Sequence, residues 1–195
     1  MFYLRFKRFY DILLSFIGLV LLTPLFIVII IIIKLDSRGP ILFKQKRVGK
    51  HKKYFYILKF RTMLTDTPKD TPTHMLNEPE QWITKIGKFL RKTSLDELPQ
   101  IINILKGDMS IIGPRPALWN QYDLIEERDK YGVHNLLPGL TGYAQINGRD
   151  ELPILEKAKL DGYYINHISL WLDIRIFIKT IVSIFKSDGV IEGGT

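Results

Sequence analysis

Residues 12–33 read ILLSFIGLVLLTPLFIVIIIII, a run of 22 residues without a charge. The hydrocarbon core of a bilayer needs a helix of about 20 predominantly apolar residues, so this run predicts a membrane-inserted helix. The alternatives are a buried helix of a soluble protein and a cleaved signal peptide. The residues that follow, Leu35-Asp36-Ser37-Arg38, do not resemble the small-residue site at which a signal peptide is cleaved.

Positive charge lies on both sides of the apolar run. Residues 1–53 hold 11 of the 28 Lys and Arg residues against two acids, a net charge of +9, whereas residues 54–195 carry −1. Such charge beside an apolar helix favours an anionic lipid surface over nucleic acid as the partner. Basic flanks also prefer the cytoplasm. A straight span would send one flank out of the cytoplasm, whereas a bent, re-entrant helix keeps both flanks inside.

Thr23 and Pro24 lie at the midpoint of the run. Pro24 has no N–H, so the carbonyl of Val20 loses its helical partner, and the Thr23 hydroxyl can bond back to Val20 or to Leu19. Each arm of about 11 residues is roughly 16 Å long, which reaches half way through the hydrocarbon core. We therefore predict a membrane bend at Thr23 and Pro24, with a mild kink in a true span as the alternative.

The rest of the chain predicts helices and one small hairpin. Ile41–Val48 and Phe55–Met63 read as two strands, which are separated by a polar turn that contains Gly49. The last helical segment, Ser169–Lys186, is apolar round most of its circumference, which suits a helix in the membrane interface as well as a helix in a core. Other helices are predicted over residues 83–92, 122–131 and 155–166.

Two adjacent carboxylates, Asp96 and Glu97, stand where a further helix begins, and this helix stops at Gly107. Its start is open: Ser94 forms a capping box with Glu97, or Asp96 is the cap and Pro99 occupies the first turn. The positive end of the helix dipole keeps carboxylates at this position ionised, as a nucleophile or a Mg²⁺ ligand must be. Acidic residues in a first turn are also ordinary capping groups.

Basic residues in rigid or glycine-rich segments point to phosphate. The guanidinium group bonds two phosphate oxygens at once, and a proline on each side of Arg115 fixes the direction of that side chain. Glycines in Pro138–Arg149 let the backbone approach a ligand closely. The candidate phosphate-binding residues are Lys59, Arg61, Arg91, Arg115 and Arg149.

Other catalytic templates are missing from the sequence. Without any cysteine the chain has no thiolate nucleophile, thiolate metal site or disulfide. It contains no Walker loop, dinucleotide fingerprint or H-E-x-x-H motif. The four histidines, which show no metal-ligand spacing, are His51, His74, His134 and His167.

Taken together, these segments resemble the small monotopic phosphoglycosyl transferases, also called the bacterial sugar transferase family. The resemblance covers nearly the whole chain, and the segments occur in the family's order. They are the basic N-terminus with its apolar run, Lys59–Met63, Thr93–Gln100, Gly107–Ser110, Gly113–Pro116 and Pro138–Arg149.

The resemblance implies a monotopic membrane protein that is mainly α with a small β-hairpin. Residues 1–36 would form the re-entrant membrane helix with its basic flank. Residues 37–195 would form a cytoplasmic catalytic domain with amphipathic interfacial helices. The family's helix-breaking Ser-Pro pair corresponds to Thr23-Pro24 here, and threonine keeps the hydroxyl.

The resemblance also implies transfer of a phosphosugar from a UDP-sugar to polyprenyl (undecaprenyl) phosphate with Mg²⁺ and release of UMP. This reaction would take place at the cytoplasmic face of the bacterial inner membrane. The family's dyad falls on Asp96, the covalent nucleophile and a ligand of Mg²⁺, and on Glu97. The expected substrate-binding residues are Lys59, Arg61, Arg91, Arg115, Gln145 and Arg149.

Two other functions are compatible with part of this pattern. A non-catalytic membrane scaffold would explain the basic N-terminus and the last helix but not the dyad or Arg115. A glycosyltransferase that moves only the sugar would release UDP instead of UMP. The sugar, the downstream glycan and the oligomeric state stay open, with a homodimer as one alternative.

Overall fold

A computed structural model describes residues 2–68, 78–148 and 152–186. The chain is mainly helical, as the sequence predicted, and it contains two small sheets, of which only the hairpin was predicted. The elements are α1 (Phe2–Asp36), β1 (Leu42–Val48), β2 (Tyr54–Phe60), α2 (Lys85–Lys92), α3 (Gln100–Lys106), β3 (Ser110–Ile112), α4 (Tyr122–Asp129), β4 (Gly139–Thr141), α5 (Ile154–Asn166) and α6 (Leu170–Lys186).

Helix α1 is 35 residues long and contains Pro24 in its interior. The Thr23 hydroxyl donates to the carbonyl of Leu19 at 2.8 Å, which is one of the two acceptors predicted for it. The helix is long and apolar enough to enter a bilayer, and it exposes large apolar side chains such as Phe16 and Leu21. The re-entrant bend stays a prediction.

Helix α1 contacts the rest of the chain along its whole length. Near its start, Asp11 accepts hydrogen bonds from the Ser110 hydroxyl at 2.7 Å and from the Ile111 amide at 3.1 Å. Near its end, Ile29 and Ile33 are buried in a cluster with Phe60 and Leu90, onto which other partly buried apolar side chains pack. Both ends of the helix are therefore anchored to the rest of the chain.

The predicted hairpin is confirmed, although β2 ends at Phe60 instead of Met63. The two strands pair antiparallel in a register that runs from Leu42↔Phe60 to Val48↔Tyr54. Two consecutive residues in the turn, His51 and Lys52, have φ of 53° and 58°. Left-handed conformations at both central positions match the right-handed twist of the strands that they join.

The start of the helix that follows the dyad differs from both predicted starts. Ser94 has φ of 56° and makes no capping hydrogen bond through its side chain, so the predicted capping box is wrong. Leu95–Glu97 form a single 3₁₀ turn, and α3 begins only after Pro99. The predicted stop at Gly107 is confirmed, because this residue has φ of 98° and closes the helix.

Helix α6 combines the two alternatives left open by the sequence. Ile176 is fully buried in a cluster with Ile112 and Tyr164, so one face packs against the core. Trp171 is 75% exposed, and further apolar side chains on the same helix are exposed with it. This second face suits the membrane interface.

Candidate functional site

The dyad lies on the 3₁₀ turn between α2 and α3. Residues i and i+3 of such a turn lie above one another, so Leu95 and Leu98 both pack on the apolar cluster at the end of α1. Asp96 and Glu97 project from the remaining faces of the turn. Asp96 is nonetheless buried, with 8% of its surface exposed. The geometry places the carboxylates directly beside the apolar cluster that packs on the end of α1.

Two cations from separate elements converge on Glu97. Lys59 Nζ, on β2, lies 2.7 Å from Glu97 Oε1 and 3.8 Å from Asp96 Oδ2. Arg115 lies in the loop that follows β3. Its Nη2 is 2.7 Å from Glu97 Oε1, and its Nη1 is 3.4 Å from Glu97 Oε2. The guanidinium thus donates hydrogen bonds to both oxygens of one carboxylate, and this arrangement fixes the orientation of the Glu97 side chain.

The pKa values of the two carboxylates are shifted in opposite directions. Burial by itself would raise the pKa of Glu97, but the charges of Arg115 and Lys59 outweigh it and hold this pKa well below its usual range. Burial raises the pKa of Asp96 to about 6, against the charge of Lys59 and with a contribution from Glu97. Glu97 is a permanent anion, whereas Asp96 is a poorly solvated carboxylate that is ionised at neutral pH and protonated in mild acid.

Two other predicted substrate-binding residues, Arg91 and Arg61, differ in their relation to the dyad. Arg91 is in the last turn of α2, and its charge favours the carboxylate form of Asp96. Arg61 lies at the end of α1, where its guanidinium donates to the carbonyls of Arg38 at 2.8 Å and Ser37 at 2.6 Å. The contacts of Arg61 therefore hold the segment that follows α1.

The glycine-rich stretch runs beside the segment that carries Arg115. The amide of Gly139 donates to the carbonyl of Pro114, and the amide of Gly113 donates to the carbonyl of Thr141, both at 2.9 Å. A Cβ on Gly142 would lie 2.1 Å from the carbonyl oxygen of Gly113, so only glycine permits this approach.

Gln145 follows this stretch in a short 3₁₀ turn, and its side-chain amide donates to the carbonyl of Leu140 at 3.2 Å. Its Oε1 is buried and has no hydrogen-bond partner among the described residues. The predicted substrate-binding residue Arg149 lies outside the described residues.

The sequence analysis missed two buried polar clusters. Asp173 of α6 accepts from Lys7 at 2.7 Å, from the hydroxyl of Tyr3 at 2.8 Å and from that of Tyr164 at 2.7 Å. Asp161 of α5 is paired with Arg128 of α4 at 2.6 Å. The available signal was a lone acid in an apolar helix, since Asp173 is the only acidic residue between residues 162 and 187.

The donor set suits a hard divalent cation supported by substrate oxygens. No group of three or more His, Asp or Glu side chains that could hold a metal occurs within residues 2–68, 78–148 and 152–186. Magnesium commonly uses only one or two carboxylates together with phosphate oxygens. Glu97 has both oxygens occupied by Lys59 and Arg115, which leaves Asp96 as the fitting carboxylate.

Comparisons with known proteins show the family to which the chain belongs. Residues 2–187 match the family described as bacterial sugar transferase. The chain is 38% identical to an uncharacterized sugar transferase, EpsL, of Bacillus subtilis (strain 168), over 94% of this chain and 89% of that protein. It is 41% identical to the undecaprenyl-phosphate glucose phosphotransferase of Komagataeibacter xylinus, over 90% of this chain and 35% of that protein.

A third relative is the undecaprenyl-phosphate galactose phosphotransferase of Salmonella typhimurium (strain LT2), with 35% identity over 94% of this chain and 41% of that protein. The chain thus spans well under half the length of the Komagataeibacter and Salmonella relatives. It corresponds to most of the Bacillus relative.

Proposed function

Because this chain belongs to the bacterial sugar transferase family, and is accordingly a transferase, we propose that it transfers a phosphosugar from a UDP-sugar to undecaprenyl phosphate and releases UMP. The names of the Komagataeibacter and Salmonella relatives support this acceptor. The observation that carries the proposal is the buried carboxylate of Asp96 beside a cation cluster held by Glu97. The reaction takes place at the cytoplasmic face of the bacterial inner membrane.

In the first half of the proposed reaction Asp96 acts as a covalent nucleophile. A carboxylate oxygen of Asp96 attacks the phosphorus that bears the sugar, and the bond from that phosphorus to the UMP oxygen breaks. UMP leaves with the bonding electron pair, and the sugar phosphate is held as an acyl phosphate on Asp96. Poor solvation of this carboxylate, reflected in its raised pKa, removes part of the barrier to attack.

In the second half the lipid phosphate is the nucleophile. One of its oxygens attacks the same phosphorus, the bond to the Asp96 oxygen breaks, and the carboxylate is regenerated. The product is a sugar joined to the lipid through a diphosphate. The proximity of Asp96 to the apolar cluster around Ile29 and Ile33 supports an acceptor that arrives from the membrane.

The cations of the cluster neutralise the charge of the diphosphate in the UDP-sugar. A diphosphate repels a carboxylate nucleophile until its charge is neutralised, and preorganised cations do this without further rearrangement. Glu97 holds the ends of Lys59 and Arg115 within 2.7 Å of one of its oxygens, so their charges are fixed next to Asp96. Asp96 together with the diphosphate oxygens would hold Mg²⁺, which when bound supplies further positive charge at the diphosphate.

The contacts of α1 support a re-entrant membrane helix over residues 1–36 and a cytoplasmic catalytic domain over residues 37–195. Lys7 near the start of α1 and Ile33 near its end both pack against the catalytic part. A straight span with one end outside the cytoplasm would have to break one of these sets of contacts. A bend at Thr23 and Pro24 keeps both of them.

The test is incubation of the purified chain with UDP-sugars, undecaprenyl phosphate and Mg²⁺, followed by identification of the released nucleotide. UMP supports the proposal, UDP supports transfer of the sugar alone, and release of neither from any donor supports a scaffold. Incubation with the donor alone should add the mass of a sugar phosphate to the peptide that contains Asp96. An Asp96→Asn variant is the control that should gain no mass.

A further inference from the structure

The loop that carries Arg115 is held in place by hydrogen bonds from other parts of the chain. Proline has no N–H, so the segment Gly113–Pro116 has few donors with which to form regular structure of its own. Each of its last three carbonyls accepts a hydrogen bond from a different part of the chain. The donors to residues 114, 115 and 116 are, in this order, the Gly139 amide at 2.9 Å, Arg128 Nη1 at 2.8 Å and Arg47 Nη1 at 3.0 Å.

The donor to the carbonyl of Arg115 is itself fixed on all sides. Arg128 of α4 is 2% exposed, and its Nε and Nη2 both donate to Asp161 Oδ2, at 2.9 Å and 2.6 Å. Asp161 of α5 is 1% exposed. The remaining nitrogen of the guanidinium, Nη1, points to the carbonyl of Arg115. The planar fork therefore links α4, α5 and the loop in one rigid unit.

Packing of α4 on α5 does not by itself require this ion pair. Removing two charges from water is costly, and apolar side chains of similar volume often stabilise a core equally well. An apolar pair cannot supply a rigid N–H donor to the carbonyl of Arg115. The feature that distinguishes the buried pair is thus its third contact, which reaches the main chain next to the site.

We propose that the Arg128–Asp161 pair positions Arg115 for the donor diphosphate. The pair fixes the main chain at Arg115. With its main chain fixed, the Arg115 side chain donates to both carboxylate oxygens of Glu97. Arg128 and Asp161 are positioning residues, since they act through Arg115. This inference rests on the proposed function for the substrate that Arg115 meets.

The test compares Arg128→Lys with Lys130→Gln, each made in the native chain and in an Arg115→Ala background. Lysine keeps a positive charge beside Asp161 but loses the fork that reaches the carbonyl of Arg115. Lys130 lies just after α4 and pairs with Glu127 on the surface, so its substitution is the matched control. The readouts are hydrogen exchange at Gly113 and Gly139, and kcat and KM with the best donor among UDP-glucose, UDP-galactose and UDP-N-acetylgalactosamine.

We expect Arg128→Lys to speed exchange at both glycine amides and to lower kcat/KM about tenfold to a hundredfold, as small misplacements of catalytic groups do. In the Arg115→Ala background the same substitution should change kcat/KM less than about twofold, since coupled residues are not additive. Lys130→Gln should change neither readout.

An equal loss of kcat/KM in both backgrounds would overturn the proposal, because it would mean that Arg128 acts on stability alone. Unchanged exchange at Gly113 and Gly139 would overturn it as well. Should the native chain release UMP from none of the donors, the proposed function fails, and the exchange readout alone decides whether Arg128 fixes the loop. Asp161→Asn, which keeps an acceptor for Arg128, should show a weaker form of the same pattern.

Discussion

Lys59 lies 2.7 Å from Glu97 but 3.8 Å from Asp96, although the two carboxylates are adjacent in the chain. With Arg115 also on Glu97, one member of the dyad is fully paired and the other is buried with little compensation. This asymmetry assigns different roles to the two residues: Glu97 organises the cations, and Asp96 is the group left free to react.

The asymmetry predicts opposite effects of two neutral substitutions on stability. Ionised Asp96 is costly in its buried setting, so Asp96→Asn should raise the free energy of unfolding at pH 8, by at most about 3 kcal/mol. Glu97→Gln should lower it by about 1–3 kcal/mol, because Lys59 and Arg115 lose their partner. Both variants should lose activity. Thermal unfolding in detergent measures the difference, and equal signs for the two variants would refute the division of roles.

A second prediction concerns the pH dependence of the first half-reaction. Because the pKa of Asp96 is about 6, formation of the phosphosugar adduct should rise with pH through about 6 and level off above it. The measurement is the rate of adduct formation with donor alone between pH 4.5 and 8. A midpoint near 4, the value of an ordinary aspartate, would show that Asp96 is not desolvated in the working enzyme.

The same pKa shifts predict how stability changes with pH. Asp96 has a folded-state pKa above its ordinary value of 3.8, so its ionisation penalises the folded state increasingly between about pH 4 and pH 6. Glu97 has a folded-state pKa below its ordinary value of 4.5, so its contribution is present above that pH and is lost as pH falls below it. Asp96→Asn should remove the first trend from the unfolding curve and leave the second.

A third prediction concerns the contact between α1 and α6. Lys7 and Asp173 are both buried, so Lys7→Met leaves the Asp173 carboxylate with two tyrosine hydroxyls but without its cation, and should cost about 3–5 kcal/mol of unfolding free energy. The matched control is Lys52→Met, which removes a surface pair with Asp129 and should cost about 0–1 kcal/mol. Thermal or denaturant unfolding in detergent compares them, and equal costs would contradict the buried pair.

A fourth prediction tests the topology of α1. The chain has no cysteine, so Arg5→Cys and Pro40→Cys introduce single labelling sites at exposed positions on the two sides of the helix. In whole cells both should resist an impermeant thiol reagent, and in inverted vesicles both should react. Labelling of residue 5 from outside the cell would establish a straight span and refute the re-entrant bend. Adding Pro24→Ala should favour that outcome.

Local patterns were sufficient for much of the fold. The uncharged run predicted α1, the alternation with a glycine turn predicted the hairpin, and helical periodicity predicted α2 and α4–α6. The capping box failed because Ser94 adopts a left-handed conformation, in which its hydroxyl does not cap the turn. The strands β3 and β4 have three residues each, too few for a periodic signal.

The rest of the site depends on contacts between distant parts of the chain. Lys59 and Glu97 are 38 residues apart, and nothing in either segment indicates that they pair. Lys59 and Arg61 are only two residues apart in the sequence, but β2 ends at Phe60, between them. Lys59 therefore lies at the dyad, whereas Arg61 lies at the end of α1. Tertiary packing decided which basic residues reached Asp96.

The pairing of Lys7 with Asp173 spans 166 residues, and this separation has a consequence for biosynthesis. Lys7 is synthesised long before the codon for its partner is translated. Until then the ammonium group of Lys7 has only Asp11, four residues further along the same helix, as an acidic partner. The contact between the first turns of α1 and α6 is therefore completed only after α6 has been synthesised.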